Sequence, residues 1–188
     1  MPEPLLVVVG GMPGAGKSSL ARRLGDALHL PVVHRDAIKT GIHVTHRSVD
    51  PVEQRRFAES AFDLAFHTTR VLLDGGSSVV LEAAFHRARS GPPLIALARG
   101  CTARWIWTRC SPEVALARYS ARSRRGERHP AHNDPSMLGE MSAVEFDWTR
   151  YDPPPEVDPA AVRWVDTEDG CVPSVEELAV ELAAIVRS

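Results

Sequence analysis

Residues Gly11-Met12-Pro13-Gly14-Ala15-Gly16-Lys17-Ser18 fit the pattern G-x-x-x-x-G-K-[ST] at each required position, and the chemistry this pattern serves is the holding of a phosphate chain. Its glycines let successive backbone N–H groups curl around an anion, and a helix opening at the end of the loop adds its partial positive charge. Lys17 is placed to reach the β- and γ-phosphates of a nucleotide and Ser18 to offer a hydroxyl to Mg²⁺, so Gly11 through Ser19 reads as a nucleotide-binding segment. The plainer alternative is a glycine-rich strand-to-helix turn with a solvated lysine. Context favours the first reading: the apolar run Leu5–Val9 feeds the loop directly, and Leu20, Leu24 and Leu28 follow at helical spacing.

Other residue types with chemical potential lie downstream. Asp36, just past the short apolar run Pro31–His34, is a carboxylate that can orient a hydroxyl and take its proton, or cap the short helix that follows. Glu82 follows the apolar Val79-Val80-Leu81 and reads as a magnesium-shell or substrate group, or as a surface glutamate. Arg118, Arg122, Arg124, Arg125 and Arg128 crowd one stretch, with Arg118 and Arg122 one helical turn apart. They serve either to contact a nucleotide or as an exposed basic helix end. The histidines have no partner set for a metal; His34, His43 and His46 fall near Asp36, where an acceptor pocket is expected, and read as structural or solvated residues there.

The elements that must position these groups alternate along the chain. Short strands are expected at Leu5–Val9, Pro31–His34, Ser78–Leu81, Ala103–Thr108 and Val162–Val165. Between them come a helix over Ser18–Leu28, a long one opened by Asp50-Pro51-Val52-Glu53 and ended by Gly75 and Gly76, and shorter ones at Pro92–Ala98 and from Ser111-Pro112-Glu113 to about Ala121. Residues 122–135 read as a mobile segment, followed by a weak helical stretch at Leu138–Phe146 and a proline loop over 153–159. A capping box of Ser174 and Glu177 starts a final helix with Val175, Leu178, Leu182 and Ile185 on one stripe. Continuously apolar strands alternating with helices predict a five-stranded parallel sheet covered on both faces, an α/β three-layer domain spanning 1–188.

Composition narrows the function. A net charge of −2 disfavours a protein that wraps long nucleic acid on a basic face. The N-terminal apolar run is too short for a membrane span or a signal segment, so a cytoplasmic location is expected. Cys101, Cys110 and Cys171 lack CxxC or zinc spacing and read as reduced thiols. Only Lys17 and Lys39 are lysines, which leaves none for the guanine-reading NKxD motif of a G protein. An oligomeric AAA+ ATPase would need a larger module. The sequence sets no oligomeric state.

With the loop, the second strand and the arginine stretch in hand, the chain resembles the P-loop small-molecule kinases, in particular the group related to polynucleotide 5′-kinases, zeta toxins and chloramphenicol phosphotransferase. The resemblance implies a three-layer P-loop NTPase fold with an arginine-rich lid at about 118–137, and ATP and Mg²⁺ as cofactors. It implies Asp36 as the base that accepts the proton of the attacking hydroxyl, with Lys39 three residues on as a substrate contact, and Lys17 and Arg122 as catalytic cations. Glu82 would occupy the Walker B position, where the family more often has aspartate, and would share the metal with Ser18. Arg118 and Arg122, and with them Arg125, would contact the nucleotide, and Thr167 would pack near adenine. Arg87 would hold the acceptor or face solvent. The activity implied is transfer of the γ-phosphate of ATP to a hydroxyl of a small molecule such as a nucleoside, sugar or antibiotic. The alternatives are a 5′-hydroxyl polynucleotide kinase and a non-catalytic ATP-binding module.

Overall fold

A computed structural model describes residues 3–46, 50–126 and 129–186. Strand β1 (Leu5–Gly11) is buried at each of its positions and occupies the middle of a parallel sheet. Its neighbours are β3 (Val79–Glu82) and β4 (Thr102–Arg109), with β2 (Val32–His34) and β5 (Val162–Asp166) outside them, giving the order β2-β3-β1-β4-β5. The register Val9↔Glu82 brings the end of β3 beside the start of the glycine loop.

Side-chain alternation along β1 builds the two cores. Leu6 and Val8 face a cluster that includes Ala65, Leu73, Leu94 and Leu97, from α3 (Pro51–Asp74) and α4 (Arg87–Ala98). Leu5, Val7 and Val9 face the opposite cluster, where α1 (Lys17–Leu28) supplies Leu20 and Leu24 and α7 (Val175–Val186) supplies Val175, Leu178 and Leu182. Burying both faces of a parallel sheet in this way is what a continuously apolar strand requires. Gly10 is set by packing: Trp107 lies so close beneath it that a Cβ would collide with the indole ring, whose Nε1 donates to Tyr151 O at 2.7 Å.

Local rules place the helix ends. Asp50 caps α3 by accepting from Val52 N at 2.7 Å, and Gly75 ends it. Ser174 and Glu177 exchange hydrogen bonds of 2.7 and 3.2 Å at the start of α7.

Five expectations need correction. Residues after β2 form a full helix, α2 (Arg35–His46), so Asp36 lies inside its first turn rather than ahead of it. Helix α4 begins at Arg87, five residues before Pro92, so Pro92 and Pro93 lie inside it, where each removes a backbone N–H donor from the helix ladder. Helix α5 (Pro112–Arg124) outlasts Ala121, and the next helix, α6, is Asp134–Met141, earlier than Leu138–Phe146. The stretch read as mobile is partly packed: Pro130–His132 form a 3-10 turn, Ala131 is buried, and Tyr119 Oη donates to the buried Asp134 at 2.7 Å. Arg128 lies outside the described residues. Cys101, Cys110 and Cys171 are free thiols, with burial pushing each pKa up. Among the described residues no helix is long and apolar enough to cross a membrane.

Candidate active site

The carboxyl ends of the parallel strands open into a cleft of about 490 Å³, where an open α/β sheet ordinarily binds its ligands. The glycine loop forms its floor. Gly14 has φ +84°, and a Cβ there would run into the backbone carbonyl of Ala115, so the loop's path depends on glycine twice over. Gly16 precedes α1 at φ +77° and gives no side-chain cap, and the first turn of α1 carries no acidic residue. That helix end therefore keeps its field for an anion. Lys17 is buried at 7% exposure and donates from Nζ to Met12 O at 2.7 Å, folding back over the loop.

One wall is the end of β3. Glu82 is 4% exposed. Ser18 Oγ donates to its Oε1 at 3.2 Å, and His34 Nδ1, at the end of β2, meets its Oε2 at 3.0 Å. Among the described residues no cluster of three or more His, Cys, Asp or Glu could cage a metal. The hydroxyl and carboxylate are nevertheless hard oxygen donors side by side at the mouth of the phosphate loop. They fit magnesium, which keeps much of its water and takes few protein ligands.

Helix α2 forms the opposite wall. Asp36 and Lys39 line the cleft one turn apart. Arg35 is largely buried: Nη1 pairs with Asp36 Oδ1 at 3.0 Å, Nη2 donates to Ala58 O at 2.8 Å, and the guanidinium lies 4.5 Å over the Phe62 ring. Helix α5 closes the third side with Arg118 and Arg122, and Arg125 follows at its end. Arg118 donates to Thr167 O at 2.6 Å and Glu168 O at 2.8 Å, while Arg122 rests 4.8 Å over Tyr119 with its buried Nε unpartnered. Thr167 Oγ1 donates towards Ala15 O and Arg109 O, at 3.2 and 3.0 Å, tying the end of β5 to the loop.

The fold therefore gathers Pro13, Gly14, Gly16, Lys17, Ser18, Ser19, Asp36, Lys39, Glu82, Arg118, Arg122 and Arg125 around one cleft. It does not bring Arg87 there: that side chain lines a separate cavity with Asp147, Thr149, Arg150 and Glu156. Arg124 is turned to Ser120 on the exposed face. Sequence reasoning missed His86, His132, Tyr119 and Tyr151 as cleft residues, and His34 as the partner of Glu82. The only local signal was for His34, at the end of the same strand that delivers Asp36.

A glycine loop that joins the central strand of a five-stranded parallel sheet to a helix, with a buried carboxylate beside it, gives the chain the fold of the P-loop kinases. A family model described as an AAA domain (AAA_33) matches residues 6–144, and the chain belongs to that family. No curated protein sequence matches the chain. Among solved structures, it is similar to a candidate kinase from Chloroflexus aurantiacus J-10-fl at 25% identity, over 96% of this chain and 97% of that one, with a TM-score of 0.79. It also shares its fold with the Mycobacterium tuberculosis APS kinase CysC, in complex with AMPPNP and APS, at 18% identity over 100% of both chains and TM-score 0.63. A gluconokinase from Sinorhizobium meliloti 1021 follows at 17% identity, 100% and 94% coverage and TM-score 0.54.

Proposed function

We propose that the chain is an ATP- and Mg²⁺-dependent kinase that transfers the γ-phosphoryl group to a hydroxyl of a small molecule. One observation carries this reading: Lys17 with its loop and Asp36 on α2 line the same cleft. A phosphate-binding module alone has no use for a carboxylate on the acceptor side. The net charge of −2 favours a small acceptor over a long polynucleotide. The need for ATP fits the cytoplasmic location expected from the sequence.

In this mechanism the loop amides and Lys17 bind the β- and γ-phosphates. Ser18 and Glu82 would hold Mg²⁺, which when bound would neutralise charge on the phosphates. Arg122 and Arg125 meet charge on the transferring group, and Arg118, anchored on Thr167, sits on the nucleotide side. Asp36 orients the acceptor hydroxyl and takes its proton, with Lys39 beside it as an acceptor contact. Arg87 has no part, since it lines the other cavity.

The test is acceptor-stimulated ADP formation across nucleosides, sugars, antibiotics and 5′-OH oligonucleotides. A small-molecule class should stimulate it, and Asp36→Asn should keep ATP affinity while lowering transfer by roughly 10²-fold or more. Stimulation by oligonucleotides alone moves the activity to polynucleotide ends. ATP binding without stimulation by any class refutes the kinase reading.

A further inference from the structure

The end of β2 reaches the phosphate side of the cleft through His34. Val32 and Val80 pack in the cluster that α1 covers, and side chains alternate along a strand, so two residues further on His34 and Glu82 point to that same face. The parallel register sets them side by side as His34↔Glu82. His34 Nδ1 lies 3.0 Å from Oε2 of the buried Glu82. An ionised carboxylate can only accept, so Nδ1 carries the hydrogen and donates it. Oε1 receives the Ser18 hydroxyl at 3.2 Å, from the first turn of α1. Among the described residues these are the two hydrogen bonds that hold the Glu82 side chain.

We propose that His34 is a positioning residue for Glu82: by fixing Oε2 from β2, it turns Oε1 towards Ser18 and the mouth of the phosphate loop. The inference rests on the reading of Ser18 and Glu82 as the magnesium donors. Three rotatable bonds separate the Glu82 carboxylate from its backbone, and ordering so long a side chain costs entropy that its partners must offset. Burial confines the group without choosing which oxygen faces the loop. Ser18 is a divided anchor, since the oxygen that bonds Glu82 is also the one offered to the cation. His34 has no second duty: its ring turns about only two bonds, is mounted on a strand and makes the shorter of the two contacts. Hydrogen bonds behind a ligating carboxylate orient it and are felt in metal affinity. Strand β2 thus ends in a group that sets the metal side, and Asp36 follows two residues later on the acceptor side. His34 exchanges no group and acts through Glu82.

The test needs no acceptor. Mn²⁺ serves as a paramagnetic probe in place of Mg²⁺, and its binding to the protein–ADP complex is read from the resonance of the free ion. His34→Ala should weaken Mn²⁺ binding about tenfold, while ADP affinity measured in EDTA stays at the wild-type value. His34→Asn puts an amide nitrogen near the place of Nδ1 and should restore most of the Mn²⁺ affinity, which a lost packing contact would not explain. On a Glu82→Ala background His34→Ala should cost nothing further, the signature of a residue that works through another. Wild-type Mn²⁺ affinity in His34→Ala, an equal loss on the Glu82→Ala background, or no recovery in His34→Asn overturns the proposal. Unchanged Mn²⁺ affinity in Glu82→Gln instead overturns the metal reading beneath it, which separates the two failures. Spectra of ¹⁵N-histidine-labelled wild type with ADP give a readout independent of the variants' folding. The His34 Nδ1 signal should be that of a nitrogen bearing hydrogen, and it should move when Mg²⁺ is added. A bare Nδ1, or a signal indifferent to Mg²⁺, refutes the contact.

Discussion

Glu82→Gln separates metal chemistry from scaffolding. Glu82 is buried and engaged at both oxygens, by Ser18 at 3.2 Å and His34 at 3.0 Å. Glutamine has the same length. Its carbonyl can still accept from Ser18, and its amide can donate to an unprotonated His34 ring. Both contacts survive and only the charge is lost, so the stability cost should stay at or below about 1 kcal/mol, the net worth of one hydrogen bond. Glu82→Ala strands both partners at about 1–3 kcal/mol each, and Tm should drop by about 2–4 °C for each kcal/mol. The two variants should therefore part in thermal unfolding. They should converge in catalysis: losing an anion that supports a metal weakens its binding by about 10- to 100-fold, or about 1.4–2.7 kcal/mol. ADP release at saturating ATP, followed against free Mg²⁺, should show the half-saturating concentration raised by that factor in Glu82→Gln. Chelation of divalent cations should stop turnover in the wild type. An unchanged Mg²⁺ midpoint and rate in Glu82→Gln would refute the metal role and leave Glu82 as a strut between strands.

Gly14→Ala combines a strained φ of +84° with a collision at the Ala115 backbone. The left-handed conformation alone costs about 1–2 kcal/mol. Nucleotide affinity by calorimetry should fall by at least tenfold while the far-UV spectrum is retained. Asp152 offers a pH test, since burial pushes its carboxyl up from the ordinary 3.8 despite the opposing pull of Arg87. A raised folded-state pKa favours the protonated form, so stability is full below the ordinary value and is lost as pH rises through the folded one. Asp152→Asn should accordingly raise Tm at pH 7 and lose its advantage below pH 3.8. An advantage that persists at low pH would show another cause.

Legibility in the sequence followed the range of the interaction. The β1–loop–α1 unit was readable because its apolar run, glycines and leucine spacing are contiguous. The starts of α3 and α7 were readable from Asp50-Pro51 and from Ser174 with Glu177. Helix α2 was not, because none of its residues is buried and it prints no core stripe. The prolines of α4 looked like a start and sit five and six residues inside it. In the cleft, Glu82 ends β3, Asp36 stands two residues past β2, and Lys17 and Ser18 open α1, positions that periodicity and the glycine motif locate. His34 and His132 earn their contacts through partners 48 and 92 residues away, and no local pattern carries that information. Arg87 follows β3 closely in sequence, yet the first turn of α4 directs it to another cavity.

The strand order has a bearing on how such a protein diversifies. With β1 central, β2 with α2 and α3 falls on one flank, while β4, α5 and β5 fall on the other. Arg35, Asp36, Lys39 and Phe62 all belong to the first flank, and Arg118, Arg122 and Thr167 to the second. On the proposed function, Arg35, Lys39 and Phe62 put much of the acceptor wall within residues 32–74, apart from the nucleotide side, with His86 and Tyr151 lining the cleft from elsewhere. A combinatorial library confined to that stretch would explore new acceptors from a constant phosphoryl donor, in the way that exchanging one jaw of a vice changes what it holds and leaves the screw untouched.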